Sequence, residues 1–339
     1  MPATLEQRAA ARGADLVLEG GGVRGIALAG AVVGLAERGV VFPRIGGTSA
    51  GAIVGALAAA YQVAGIPLTR IHDDLDALDL PTLESKGPVE RVTGPFGKAG
   101  ALLTRSGLYR TDRLRDWLVA RLEEAGVRTF RDLKITADPG SDLLPQQRYR
   151  LVTHVTDLTR RCLVRVPWDL PHYLLPEGAA APLSAQIAAI DAYPVADAVV
   201  ASASLPFFFQ PFAQATPEGT CTWVDGGLLQ YFPVTVFDRT DGRRARWPTW
   251  GVRLTSAPPA VVPDRAISGP LSEAIGLLET AVGQWNRYAL EDEGVDARTV
   301  LVDTSGVSPT DFDIDPATRN RLYSNGDRAA VAFAAAALR

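Results

Sequence analysis

Hydrophobic positions along the chain fall into short blocks separated by glycine-rich turns, and the blocks alternate between strand-like and helix-like spacing. Leu16, Val17 and Leu18, bounded by Asp15 and Glu19, read as a buried strand; a loop over residues 20–25 follows, then an apolar helix from about Ile26 to Arg38. A second apolar run ends at Gly47-Thr48-Ser49-Ala50-Gly51, where a small-residue helix from Ala50 to Tyr61 begins. Residues 66–131 are polar and broken by Gly and Pro, which predicts a cap or lid insertion. Within it Leu114, Trp117, Leu118 and Leu122 mark a helix over 111–124. Residues 148–157 and 161–166 read as a β-hairpin. A small-residue helix over 195–204 then stops against 205–212, where four Phe and two Pro form a stiff aromatic wall. A strand over 220–224 ends in Asp225-Gly226-Gly227. Strands over 250–255 and 299–303, a helix from Leu271 to about Glu293 and a last helix from Pro316 complete the pattern. Alternation of this kind predicts an α/β fold with a mostly parallel sheet and helices on both faces.

Composition narrows the chemistry. The chain has 339 residues, of which 47% are hydrophobic and 21% charged, so it can bury a sizeable core. A formal net charge of −4 offers no basic field for nucleic acid. Cys162 and Cys221 are too few for a disulfide framework, lie in no zinc-binding spacing, and read as buried free thiols. No secretory signal is evident in residues 1–13, and no run reaches the ~18 apolar residues of a membrane span. The expectation is a cytoplasmic protein with no metal or cofactor, with peripheral contact to a membrane left open.

Two glycine turns carry candidate chemistry. Gly20-Gly21-Gly22-Val23-Arg24-Gly25 matches the dinucleotide fingerprint letter for letter, but residues 40–47 hold no Asp or Glu to bind a ribose. The alternative is a loop whose N–H groups converge on a developing oxyanion, with Gly25, like Gly30, packing a helix on a strand. Gly47-Thr48-Ser49-Ala50-Gly51 has the strand, sharp turn and helix of a nucleophile elbow, which makes Ser49 the candidate nucleophile. Adjacent parallel strands would bring both turns to the carboxyl edge of the sheet. Other residues read as structural: His154 as a hydrogen-bonding strand residue and Asp73-Asp74 as a solvated helix face. Residues 167–182 read either as a mobile apolar loop or as a cover for the sheet edge.

Taken in order, the glycine loop, the elbow, Ala201-Ser202-Ala203-Ser204-Leu205-Pro206 and Asp225-Gly226-Gly227 resemble the patatin-like phospholipases, over about residues 15–237. Asp311-Phe312-Asp313 ahead of Leu322-Tyr323 is similar to the tail of bacterial members. The resemblance implies a three-layer α/β/α patatin-like fold with a mostly parallel central sheet and a lid insertion. Residues 1–14 would form a lead-in, 15–237 the catalytic domain, and 238–339 an extension packed on it. It further implies a Ser49–Asp225 dyad acting on a lipid or acyl-ester substrate, with Gly21, Gly22, Val23 and Arg24 as the oxyanion hole. Gly20, Gly25, Gly47, Gly51, Gly226 and Gly227 would support the motifs. A dyad also fits the histidine count, because the last of the three, His172, precedes Asp225 instead of following it as in an α/β-hydrolase triad. Arg24 is expected either to hold the glycine loop or to meet a lipid phosphate. An acyltransferase using the same dyad and a silent lipid-binding protein are the alternative functions. The sequence departs from many relatives at residues 228–233, which hold Leu-Leu-Gln-Tyr-Phe-Pro where those carry Asn-Pro.

Overall fold

The computed structural model describes residues 5–78, 107–136, 141–176, 181–256, 273 and 293–338. After helix α1 (Leu5–Arg12), strand β1 (Asp15–Leu18) leads through the glycine loop into α2 (Gly25–Glu37), and β2 (Ile45–Thr48) leads into α3 (Ala50–Ala64). The insertion contributes α4 (Arg70–Asp76), β3 (Gly107–Tyr109) and α5 (Asp112–Glu124). The hairpin β4 (Leu151–Asp157) and β5 (Cys162–Val166) follows, then short helices α6 (Pro171–Leu174) and α7 (Leu183–Ala192), and α8 (Val195–Ser202). The rest is β6 (Phe207–Phe209), β7 (Phe212–Thr216), β8 (Gly219–Asp225), β9 (Thr249–Thr255), α9 (Glu293–Asp296), β10 (Thr299–Asp303) and α10 (Pro316–Ala337).

The main sheet runs β10-β9-β1-β2-β4-β8-β7, with β5 also paired to β4; β3 and β6 form a separate two-stranded sheet. The five neighbours β10, β9, β1, β2 and β4 are parallel, while β5 and β8 run antiparallel to β4. Register on β4 positions the site. β5 occupies one edge of β4 from Thr153 to Asp157, so the strands paired to those residues from the opposite side must share the other edge. On it β2 reaches as far as Thr48 opposite His154, and β8 takes over with Asp225 opposite Val155. The carboxyl ends of β2 and β8 therefore meet head to head.

One face of the sheet, through Leu16, Leu18, Ile45, Leu151 and Val155, packs on the core containing α2, α3 and α8. α2 is apolar all round because it lies between the sheet and α10. The two helices approach so closely that a Cβ on Gly30 would lie 2.0 Å from the Tyr323 carbonyl oxygen, and one on Gly326 2.0 Å from that of Ala27. Gly30 thus serves helix-on-helix packing, and Gly25 faces Ala50 of α3, in place of the expected strand contacts. On the other face Val17 and Val152 are covered by Trp168, Phe232, Val234, Phe237 and Val295.

Two expectations are corrected, and one choice between alternatives is decided. Asp74 is buried on its helix, paired with Arg70 at 3.0 Å and Arg121 at 3.2 Å and bonded to the Tyr61 hydroxyl, so only Asp73 can face solvent. Cys162 is exposed, and only Cys221 is a buried thiol. In the 167–182 stretch, Leu170 and Tyr173 are buried, with the Tyr173 ring edge-on to Trp223 and its hydroxyl donating to Asp157 at 2.9 Å. The described part of that stretch covers the sheet; residues 177–180 lie outside the described residues, as do nearly all of the expected helix over 271–293 and the centre of the insertion.

Candidate active site

Ser49 sits between the last residue of β2 and the first of α3 with φ 55 and ψ −122, a conformation that costs energy for any residue with a Cβ. Its surroundings enforce that geometry. The Ser49 N–H donates to Ser202 Oγ at 3.0 Å, and Ser202 Oγ donates in turn to the His154 carbonyl at 2.7 Å. Thr48 Oγ1 donates to the Gln230 carbonyl at 3.0 Å. Gly51 lets α3 start hard against β1, since a Cβ there would come within 2.5 Å of the Leu18 carbonyl oxygen. Gly47 lies inside β2. Strain and support together hold the serine at the amino end of a 15-residue helix, where the helix dipole favours a developing anion.

Asp225 ends β8 and is 2% exposed. Its Oδ1 accepts the Gly227 N–H at 2.7 Å, which uses Gly226 and Gly227 as the turn that follows the strand. Burial raises its pKa from 3.8 to about 6, opposed by the Ser49 hydroxyl and the Gly227 N–H. The hydroxyl is thus near enough to stabilise the carboxylate, yet Oδ2 completes no hydrogen bond of ordinary geometry among the described residues. His154 is no alternative base: it is buried, lies with Nδ1 3.4 Å from the Gly47 carbonyl, and burial lowers its pKa to about 4.

The glycine loop leaves β1 beside this pair. Gly20 donates to the Tyr231 carbonyl at 3.0 Å. Gly22 has φ 55 and presses on residue 309 so closely that a Cβ would lie 2.0 Å from the Pro309 carbonyl oxygen. The Val23 N–H goes to that carbonyl at 2.9 Å and the Arg24 N–H to the Gly21 carbonyl at 3.2 Å. Val23 and Arg24, expected among the oxyanion donors, therefore have their amides engaged by the protein. No carbonyl of the described residues takes the N–H of Gly21 or Gly22. Arg24 braces the loop through the Gly21 carbonyl, Ser256 and the Tyr231 hydroxyl, at 3.3–3.4 Å. At the end of β1, Glu19 is buried against the Leu254 N–H and Arg253, and burial raises its pKa to about 7.

Gly21, Gly22, Ser49 and Asp225 line one cavity of about 130 Å³, whose other walls are mainly apolar: Ile53, Leu75, Leu78, Leu114, Leu205, Phe209 and Phe312 among them. Such a lining suits an apolar ligand. No group of three or more His, Cys, Asp or Glu side chains among the described residues could hold a metal ion. Sequence reasoning missed the parts played by Ser202, Tyr231, Pro309 and Phe312. Ser202 and Phe312 lay within quoted motifs, but nothing in those motifs shows which backbone group or cavity each one meets.

The fold and site define an α/β protein with a strained serine at a strand tip and a buried carboxylate on the strand end facing it. The chain belongs to the patatin-like phospholipase family, whose model matches residues 16–238. It is 35% identical to YqhO of Bacillus subtilis (strain 168) over 244 residues, covering 71% of this chain and 70% of that protein. It is also 38% identical over 110 residues to an NTE-family protein of Mycobacterium tuberculosis, covering 32% of this chain but only 16% of the relative. In fold it is similar to VipD from Legionella pneumophila, with a TM-score of 0.50 at 17% identity, covering 96% of this chain and 67% of VipD. Membership places the chain among lipid acyl hydrolases with ester substrates. Among the described residues, no helix is long and apolar enough to cross a membrane.

Proposed function

We propose that the protein hydrolyses fatty-acyl esters of lipids through a Ser49–Asp225 dyad, within a catalytic unit of about residues 15–237 that residues 238–339 complete. The observation that supports this reading is the end-to-end meeting of β2 and β8, which sets a strained serine opposite a buried carboxylate whose Oδ2 has no hydrogen-bond partner among the described residues. Ser49 Oγ attacks the ester carbonyl while Asp225 Oδ2 takes its proton, and the oxyanion accepts the N–H groups of Gly21 and Gly22. Collapse of the tetrahedral intermediate expels the alcohol, which takes the proton back from Asp225, and leaves an acyl-enzyme on Ser49. Water, deprotonated by Asp225, attacks that ester and releases the fatty acid, and Ser49 recovers its proton from Asp225. The raised pKa suits Asp225 to this work, because it makes the carboxylate a stronger base than a solvated one. The apolar cavity would draw the acyl chain out of a lipid surface, so contact with a membrane at the cavity mouth accompanies this reading. Hydrolysis of p-nitrophenyl acyl esters by the wild type and its loss in a folded Ser49→Ala variant test it; undiminished activity in the variant would remove Ser49 from the mechanism.

A further inference from the structure

The family match ends at residue 238, but the cavity does not. Pro309 and Phe312, in the segment joining β10 to α10, line it together with Ser49 and Asp225. That segment is tied down along its length. Thr304 donates its N–H at 2.8 Å and its hydroxyl at 3.0 Å to the Thr255 carbonyl at the end of β9. The Ser308 N–H donates to Asp311 Oδ2 at 2.7 Å, closing a turn, and Asp315 caps α10 by accepting the Thr318 N–H at 3.0 Å. The Pro309 carbonyl holds the glycine loop through Val23. Phe312 is 8% exposed, its ring stacked on Phe208 at 5.0 Å and set edge-on to Phe209 at 6.3 Å. Two flanking rings pack against it, so displacing it would forfeit those contacts.

We infer that this strap forms the acyl-selecting wall of the cavity and that Phe312 is its specificity-determining residue, setting the longest acyl chain the site accepts. The inference rests on the acyl-hydrolase reading above and concerns a residue outside the family match. Removing the ring should open the cavity along its apolar side, where each additional methylene buried is worth about a fourfold gain in kcat/KM. Enlarging it should do the reverse.

The experiment measures kcat/KM for p-nitrophenyl esters from butyrate to laurate with the wild type, Phe312→Ala and Phe312→Trp, and in parallel the labelling of Ser49 by a small fluorophosphonate. Phe312→Ala is expected to raise the laurate-to-butyrate ratio at least tenfold, and Phe312→Trp to lower it, while Ser49 labels in all three. If Ser49 labels normally and both ratios stay within twofold of wild type, Phe312 does not select the chain and the inference is overturned. A wild type that hydrolyses none of the esters and leaves Ser49 unlabelled defeats the hydrolase reading, and this inference with it. Should Phe312→Ala fail to fold, the Trp variant decides alone, a lowered ratio supporting the inference and an unchanged one overturning it.

Discussion

At the scale of single residues, the site depends on a carboxylate kept out of water. Asp225 is the proposed base only when ionised, and burial places its pKa at about 6, so kcat/KM should climb as pH rises through that value. Glu19, with a pKa of about 7, adds a second ionisation that strengthens its hold on Arg253 and, through charge, on Arg24 as pH rises. Stability should move the other way. Because the folded pKa of Asp225 lies above the unfolded one, its contribution is most favourable at low pH and declines as pH rises towards and through about 6. At pH 8 the buried charge costs up to about 3 kcal/mol, so Asp225→Asn should raise Tm at pH 8, by less at pH 5, while lowering kcat by ~10²–10⁴. Thermal melts of both proteins at the two pH values check the sign, and a lower Tm for the variant at pH 8 would contradict it. The sequence carried the identities of this pair but not their environment. Nothing in Asp225-Gly226-Gly227 tells that one carboxylate oxygen is tied to the turn while the other has no hydrogen-bond partner among the described residues, because that depends on what β4 and β2 bring beside it.

At the scale of elements, the elbow is a junction supported from a third element. α8 supplies Ser202, whose hydroxyl accepts the N–H of Ser49 and donates to the carbonyl of His154 on β4. Ser202→Ala removes the partner of two backbone groups, a part-buried N–H and a buried carbonyl, and should cost about 1–3 kcal/mol of stability. If the bond also fixes the nucleophile, kcat should fall several-fold with KM nearly unchanged. Steady-state kinetics beside a denaturation curve separate the two effects; a stability loss with kcat untouched would reduce Ser202 to a purely structural part. The strands, the elbow and the helices beside it are legible in the sequence because apolar blocks between glycine turns carry their own period. Pairing is not, and the head-to-head placement of β8 on β4 had no local signal. The burial of Asp74 is hidden for the same reason: besides Arg70 on its own helix, it meets Arg121 on a helix distant in sequence.

At the scale of the whole molecule, the family match covers residues 16–238, but β9, β10 and α10 belong to the same sheet and core. α10 lies along α2, the helix that leaves the glycine loop, with Gly326 at the point of closest approach. Gly326→Val should force the two helices apart at a cost of about 1–3 kcal/mol, measured by urea denaturation. A neutral outcome would mean that α10 is only loosely seated. The C-terminal contribution was legible as a helix with Pro316 at its start, whereas the meeting of Pro309 with Gly22 and of Phe312 with the cavity follows from chain return over long sequence distances.

The central claim is that Ser49 is the nucleophile, and mapping the adduct of a fluorophosphonate probe by peptide mass spectrometry tests it most directly. The account predicts a single adduct, on Ser49, that forms with the folded wild type and is absent from Ser49→Ala. An adduct on another serine, or none on a folded protein that still hydrolyses esters, would contradict it.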